Sequence, residues 1–101
     1  MNNENYDEPV RVQVLEINIV KNLTIATVQL LSGEIKRLLT FKEKESRRRW
    51  HMTGGPSFSN PSAWEKGLRS IVLRYEGPLE EANELFPGTE LISTNTSGQK
   101  E

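Results

Sequence analysis

Near the start of the chain Val10, Val12 and Val14 are separated by Arg11 and Gln13, the period-2 pattern of a strand with one buried face. The apolar phase then slips by one to Ile17 and Ile19, which predicts a bulge or tight bend between the two halves of the strand. Lys21-Asn22 supplies a turn, because Asn tolerates a left-handed backbone. Residues 23–31 (LTIATVQLL) follow as a strand rich in β-branched side chains with apolar residues on both faces, as expected of a central strand or one wall of a closed barrel.

Ser32-Gly33 reads as a tight hairpin with residues 35–41 as its return strand, since Gly accepts positive φ without a Cβ clash. Residues 42–45 are all charged and predict a solvated loop or strand end. Alternation resumes over 47–53, with Arg48, Trp50 and Met52 on one face, taken as the inner one, and Arg47, Arg49 and His51 on the other. Gly54-Gly55-Pro56 breaks regular structure. Asn60-Pro61 opens a helical turn, with Asn60 as cap and Gly67 as its stop. Residues 70–75 form the next strand, Gly77-Pro78 a turn, and Leu79, Ala82, Leu85 and Phe86 recur at helical spacing. Pro87-Gly88 predicts a type II turn into a last strand at 90–92.

About six short strands and one or two short helical turns, punctuated by frequent turn signals, favour an all-β fold: a single small closed barrel, which leaves no sheet edge. Residues 1–8 and 93–101 hold almost no apolar side chain and read as flexible tails around one domain at 9–92.

The whole chain has 101 residues, room for one core. Hydrophobic residues make up 35%, with the polar excess mainly at the ends, so the middle remains an ordinary foldable domain. Cysteine is absent, which excludes disulfides, thiolate chemistry and sulfur-ligated zinc, and fits a reducing compartment. The N-terminal residues MNNENYDEP have neither the basic nor the apolar region of a secretory signal, and no apolar run approaches the ~18 residues of a membrane span. The expectation is therefore a cytoplasmic protein with no membrane contact. The net charge of −1 hides an asymmetry: between Glu34 and His51 seven Lys or Arg face three Glu, while elsewhere six face eleven acids. One locally basic stretch on an acidic molecule orients a partner without general stickiness to nucleic acid.

Two segments resemble the second-domain β-barrel of elongation factor Tu and related translational GTPases. Residues 24–35 (TIATVQLLSGEI) match in spacing that family's TVVTGRVxxG strand and the Ile-Lys strand after it. Residues 63–75 (AWEKGLRSIVLRY) and 85–91 (LFPGTEL) match a later segment, with Gly67, Leu73, Arg74 and Gly88 at the family's positions. Val28 stands where the family usually has Gly, and Arg37-Leu38 where it has a Gly-Asp turn. The resemblance implies the barrel fold and at most a binding role, because the chain contains no GxxxxGK[ST] phosphate loop with which to hydrolyse GTP.

Candidate chemistry is sparse. Arg47-Arg48-Arg49-Trp50-His51 combines guanidiniums able to neutralise phosphates with an aromatic able to stack on a base, or is a plain strand with a charged outer face and Trp50 in the core. His51 is the only histidine and Asp7 the only aspartate, so a Ser-His-Asp relay would require the N-terminal tail. Glu80, Glu81 and Glu84 cluster as a carboxylate group or a solvated face. The loop from Gly54 to Asn60 is a ligand loop or a simple connection with Phe58 as a lip, and Trp64 is a barrel plug or a binding aromatic. The leading expectation is a non-enzymatic, cofactor-free monomer. It binds a protein partner or structured RNA through Lys36, Arg37, Lys42, Lys44, Arg47, Arg49 and His51. The alternative is a small ligand-binding or enzymatic barrel using the mouth near Phe58, Trp64 and His51. A third is an oligomer that buries the basic strand.

Overall fold

Two of the alternating valines, Val12 and Val14, form the core face of strand β1 (Arg11–Val20), with Val10 buried just before it, in the computed structural model, which describes residues 9–57 and 61–94. The expected roles of Asn60 as helix cap and Phe58 as lip fall on residues outside that range. Strand β2 is Leu23–Ser32, β3 Thr40–Glu43, β4 Arg49–Ser57, β5 Leu68–Tyr75 and β6 Glu90–Ser93; a short helix α1 (Pro61–Glu65) and a 3-10 helix (Leu79–Glu84) lie between strands. The strands close in the order β1-β2-β5-β4-β3-β6, every pair antiparallel, so the fold is the expected all-β closed barrel of six strands.

The predicted phase slip is a bulge. Val14 pairs with Val28 and Glu16 with Thr27, leaving Leu15 without an opposite residue. Lys21 and Asn22 both take positive φ (52° and 71°), the combination of a type I′ turn, whose twist matches that of right-twisted strands. Inward positions then come in matched rows: Val28 beside Arg69, Ala26 beside Ile71, Thr24 beside Leu73. The core gathers Val12, Val14, Ala26, Val28, Phe41, Trp50, Met52, Ile71, Leu73 and Leu91, all buried. Each large member contributes about 1.5–3 kcal/mol by leaving water.

Several expectations are corrected. Ser32-Gly33 makes no hairpin: the other edge of β2 is taken by β5, and residues 34–39 run as an irregular connection, with Ile35 buried and Lys36, Arg37 and Leu38 exposed. The physical reason is competition for one edge: β5 offers a continuous strand, Leu68–Tyr75, that pairs with β2 from Thr24 to Gln29 and puts Ile71 and Leu73 on the buried side with Ala26 and Thr24. Glu43, expected in solvent, is buried in β3. Gly54-Gly55-Pro56 does not break the strand; it lies within β4, where register shifts against β5 absorb it. Of the four apolar residues at helical spacing, only Leu85 is buried and Ala82 partly so, while Leu79 and Phe86 are exposed. The last strand runs through Ser93, whose hydroxyl accepts the Val10 N–H at 2.8 Å, so the barrel reaches one residue beyond the expected boundary.

Two glycines separate backbone strain from collision. Gly88 (φ +96°) has open space where a Cβ would stand, and Thr89 N–H bonds Phe86 C=O across the predicted turn. Gly55 (φ +89°) would put a Cβ 2.6 Å from the Ser70 carbonyl oxygen. Gly88→Ala is expected to cost about 1–2 kcal/mol from the backbone alone, and Gly55→Ala clearly more because backbone must also move. Urea unfolding of the two variants side by side checks the order; equal losses would remove the steric account.

Candidate functional site

The barrel has two mouths, and each is closed by a charge on the inner face. At the mouth where β1, β3 and β5 begin, Arg69 is 4% exposed, in phase with Ile71 and Leu73. Its Nε and one terminal nitrogen donate to the two Glu34 carboxylate oxygens at 3.1 and 3.0 Å, and the other nitrogen donates to the Trp64 and Leu68 carbonyls at 2.9 Å. The guanidinium carbon lies 3.5 Å from the centre of the Trp64 ring. Trp64 is thus the cover of a buried cation rather than the plug itself. A buried guanidinium is tolerated here because its donors are matched and its face is stacked.

At the opposite mouth Glu43 is 5% exposed, in phase with Phe41. It accepts hydrogen bonds from Trp50 Nε1 at 2.8 Å and from the Ser46 hydroxyl at 2.9 Å, with Arg48 Nε 3.5 Å away. Arg48 also donates to Glu84, which ties the 3-10 helix across this mouth, and that bond to Glu84 is the main reason the guanidinium is held above its ordinary range. Tyr75 packs on Trp50 at 4.9 Å between ring centres and donates to Glu81. Its phenol is pushed up, first by lost hydration and then by that bond.

The outer wall carries the charge that remains. With Phe41 and Trp50 turned inward, Lys42 and Arg49 point outward and stand directly opposite each other. Lys42 is also opposite Ile92, which is opposite Arg11, so one row crosses β1, β6, β3 and β4 with three cations. The next row sets Thr40 beside His51 and His51 beside Arg74. Arg11 is held by Glu90, donating from Nε at 2.8 Å and from a terminal nitrogen at 2.6 Å, and Lys44 lies 3.6 Å from the same carboxylate. Lys42, Arg49 and Arg74 are exposed and form no ion pair among the described residues. Like charges directly opposite across strands oppose folding, by about 0.2–1 kcal/mol for such a pair.

Of the expected residues, the fold therefore brings Lys42, Arg49 and His51 together, sets Lys44 beside Glu90, and leaves Lys36 and Arg37 on the irregular connection and Arg47 on the exposed β3–β4 loop. Arg74 and Arg11 were missed because only strand pairing carries them to this face; Arg48 turns away from it to the mouth. His51 Nδ1 lies 3.0 Å from Thr40 Oγ1 and Nε2 lies 3.5 Å from Glu76 Oε1, which fixes the imidazole against the wall. His51 and Trp64 do not share a mouth. Their partners on β5, Arg74 and Arg69, are five residues apart, roughly 16 Å of strand. Phe58, the third member of that alternative, lies outside the described residues. Among the described residues no three His, Cys, Asp or Glu side chains are grouped to hold a metal ion, and no helix is long and apolar enough to cross a membrane.

Comparison of the chain with protein-family models, with curated proteins and with solved structures found no match in any of the three.

Glu90 makes this wall sensitive to acid. Its carboxyl is held below the ordinary value of 4.5, chiefly by the Arg11 hydrogen bonds, which outweigh its desolvation, with the Arg11 and Lys44 charges adding. A folded-state pKa below the unfolded one contributes stability above the unfolded value, and that contribution disappears as pH falls through the folded value. Glu90→Gln is therefore expected to lower stability at pH 7 and to lose less than the parent between pH 5 and pH 2. Denaturant melts across that range check this; parallel pH profiles would contradict it.

Proposed function

We propose that this chain is a non-enzymatic module that binds structured RNA through the outer wall of β6, β3, β4 and β5. One observation carries the reading: Lys42, Arg49 and Arg74 crowd neighbouring positions of one face with no carboxylate partner among the described residues, although acids outnumber bases in the molecule. An unpaired cluster that opposes folding is the complement of a polyanion, which supplies the missing negative charge on binding. Phosphate contacts fix position without reading sequence, so a cationic strand surface suits a folded RNA recognised by its backbone. The spacing likeness of residues 24–35, 63–75 and 85–91 to the second-domain barrel of translational GTPases is in keeping with a binding role beside RNA.

Fluorescence anisotropy with labelled transfer RNA, measured from low to physiological salt, tests the reading. With about three phosphate contacts the logarithm of the association constant should fall against the logarithm of salt with a slope of roughly −2 to −3. Arg49→Ala should flatten that slope by about 1. Arg49→Glu should weaken binding further while stabilising the free protein by about 0.2–1 kcal/mol through a Lys42 cross-strand pair. No binding at low salt, or binding indifferent to Arg49, would sink the proposal.

A further inference from the structure

Barrel closure stops short on one strand. β1 pairs with β6 only at Arg11, Val12 and Gln13; Val14 then bonds the turn before β6, its N–H to the Thr89 carbonyl and its carbonyl to the Gly88 N–H. From Glu16 to Val20, β1 is paired on one side with β2 and has no neighbour on the other among the described residues. The two-residue hairpin at Lys21-Asn22 makes Val20 and Leu23 a hydrogen-bonded pair, and alternation gives the same role to Asn18 with Ile25 and Glu16 with Thr27. The N–H and C=O groups of Ile17 and Ile19 therefore point to the open side. Exposed apolar side chains line both faces of this edge: Ile19 on one face and the cross-strand pair Val20 and Leu23 on the other are each about half exposed (48–49%), and Phe86, on the turn at the foot of the open edge, is 59% exposed.

We propose that two copies of this chain pair through this edge, antiparallel about a two-fold axis at Asn18. The register follows from the geometry. Pairing about Asn18 sets Ile17 opposite Ile19 of the second copy and Ile19 opposite Ile17, the residues whose backbone groups face outward, so two reciprocal hydrogen-bonded pairs form without disturbing β2. The same register sets Val14 of one copy opposite Asn22 of the other. The turn bonded to Val14, which carries Phe86, is thereby brought to the hairpin tip of the second copy, where Val20 and Leu23 are exposed. Glu16 meets Val20, so no like charges oppose each other. Four half-exposed apolar side chains per copy offer on the order of 100–250 Å². That is well under the ~800 Å² per partner of a standard stable complex, so the pairing is weak and concentration-dependent. The basic wall of β3 and β4 lies on other strands of the barrel, so this contact does not require it.

The absence of cysteine makes a direct test possible. At the two-fold axis Asn18 forms a non-hydrogen-bonded pair with its own copy, with Cα atoms about 4.5 Å apart, within reach of a disulfide. In the full-length chain under mild oxidation, Asn18→Cys should give a covalent dimer. Glu16→Cys, on the same strand and face but roughly 13 Å from its counterpart in this register, should not. Adding Ile19→Lys to Asn18→Cys should slow cross-linking at least tenfold, since a charge on an exposed edge opposes strand addition. Independently of any cysteine, sedimentation velocity of the parent from about 10 μM to about 1 mM should show reversible dimer at the upper end, and Ile19→Lys should abolish it. A parent that stays monomeric throughout, or Glu16→Cys cross-linking as fast as Asn18→Cys, would overturn the proposal; so would capture of another protein's strand in place of a second copy.

Discussion

Everything in this molecule depends on β6, a strand of four residues that completes the wall between β1 and β3. It pairs with each neighbour over three residues, and its end is fastened twice to Val10: the Ser93 hydroxyl accepts one hydrogen bond and the Ser93 N–H donates another at 2.8 Å. The next N–H, of Thr94, donates to the Thr40 carbonyl at 2.9 Å. Without this seam β1 and the short β3 would each have a free edge, and Phe41 and Trp50 would lose one side of their packing. Its bonds are all non-local, the Val10–Ser93 bond joining residues 83 positions apart, so closure must come late and hold the rest by cooperation rather than by local preference.

With the wall closed, the ends of the barrel remain, and both are handled by charge. One mouth uses a cation stacked under an indole and clamped by a carboxylate; the other uses an anion held by an indole N–H and a hydroxyl. The two arrangements are chemically opposite and physically alike: each buried charge has its hydrogen-bonding capacity largely matched, the condition under which burial of charge is sustainable. They also attach the irregular segments to the barrel, α1 through the Trp64 carbonyl and the 3-10 helix through Arg48 and Glu84.

Local patterns in the sequence were legible wherever a local cause decides the structure. The valine alternation, the phase slip that became the Leu15 bulge, the Lys21-Asn22 turn and the inward phase of Trp50 and Met52 all follow from neighbours in sequence. Ser32-Gly33 misled because a hairpin signal says only that the chain turns; which strand then occupies the edge of β2 is settled by a distant segment, Leu68–Tyr75, that pairs along it. Arg69 and Glu43 carried a signal that composition hides: each falls on the buried parity of its strand, beside Ile71 and Phe41. Of the basic wall, Lys42, Arg49 and His51 were legible from one strand pair, while Arg11 and Arg74 required the full strand order.

The two indoles have a consequence of a practical kind. Trp50 lies at one mouth, fully buried beside Tyr75, and Trp64 at the other, partly exposed against a guanidinium. These are the only tryptophans in the chain. Their surroundings differ in polarity and water access, so each end of the barrel carries its own fluorophore. A single substitution at either position leaves a chain whose emission reports on the opposite mouth alone, and the loosening of the two ends can be followed separately.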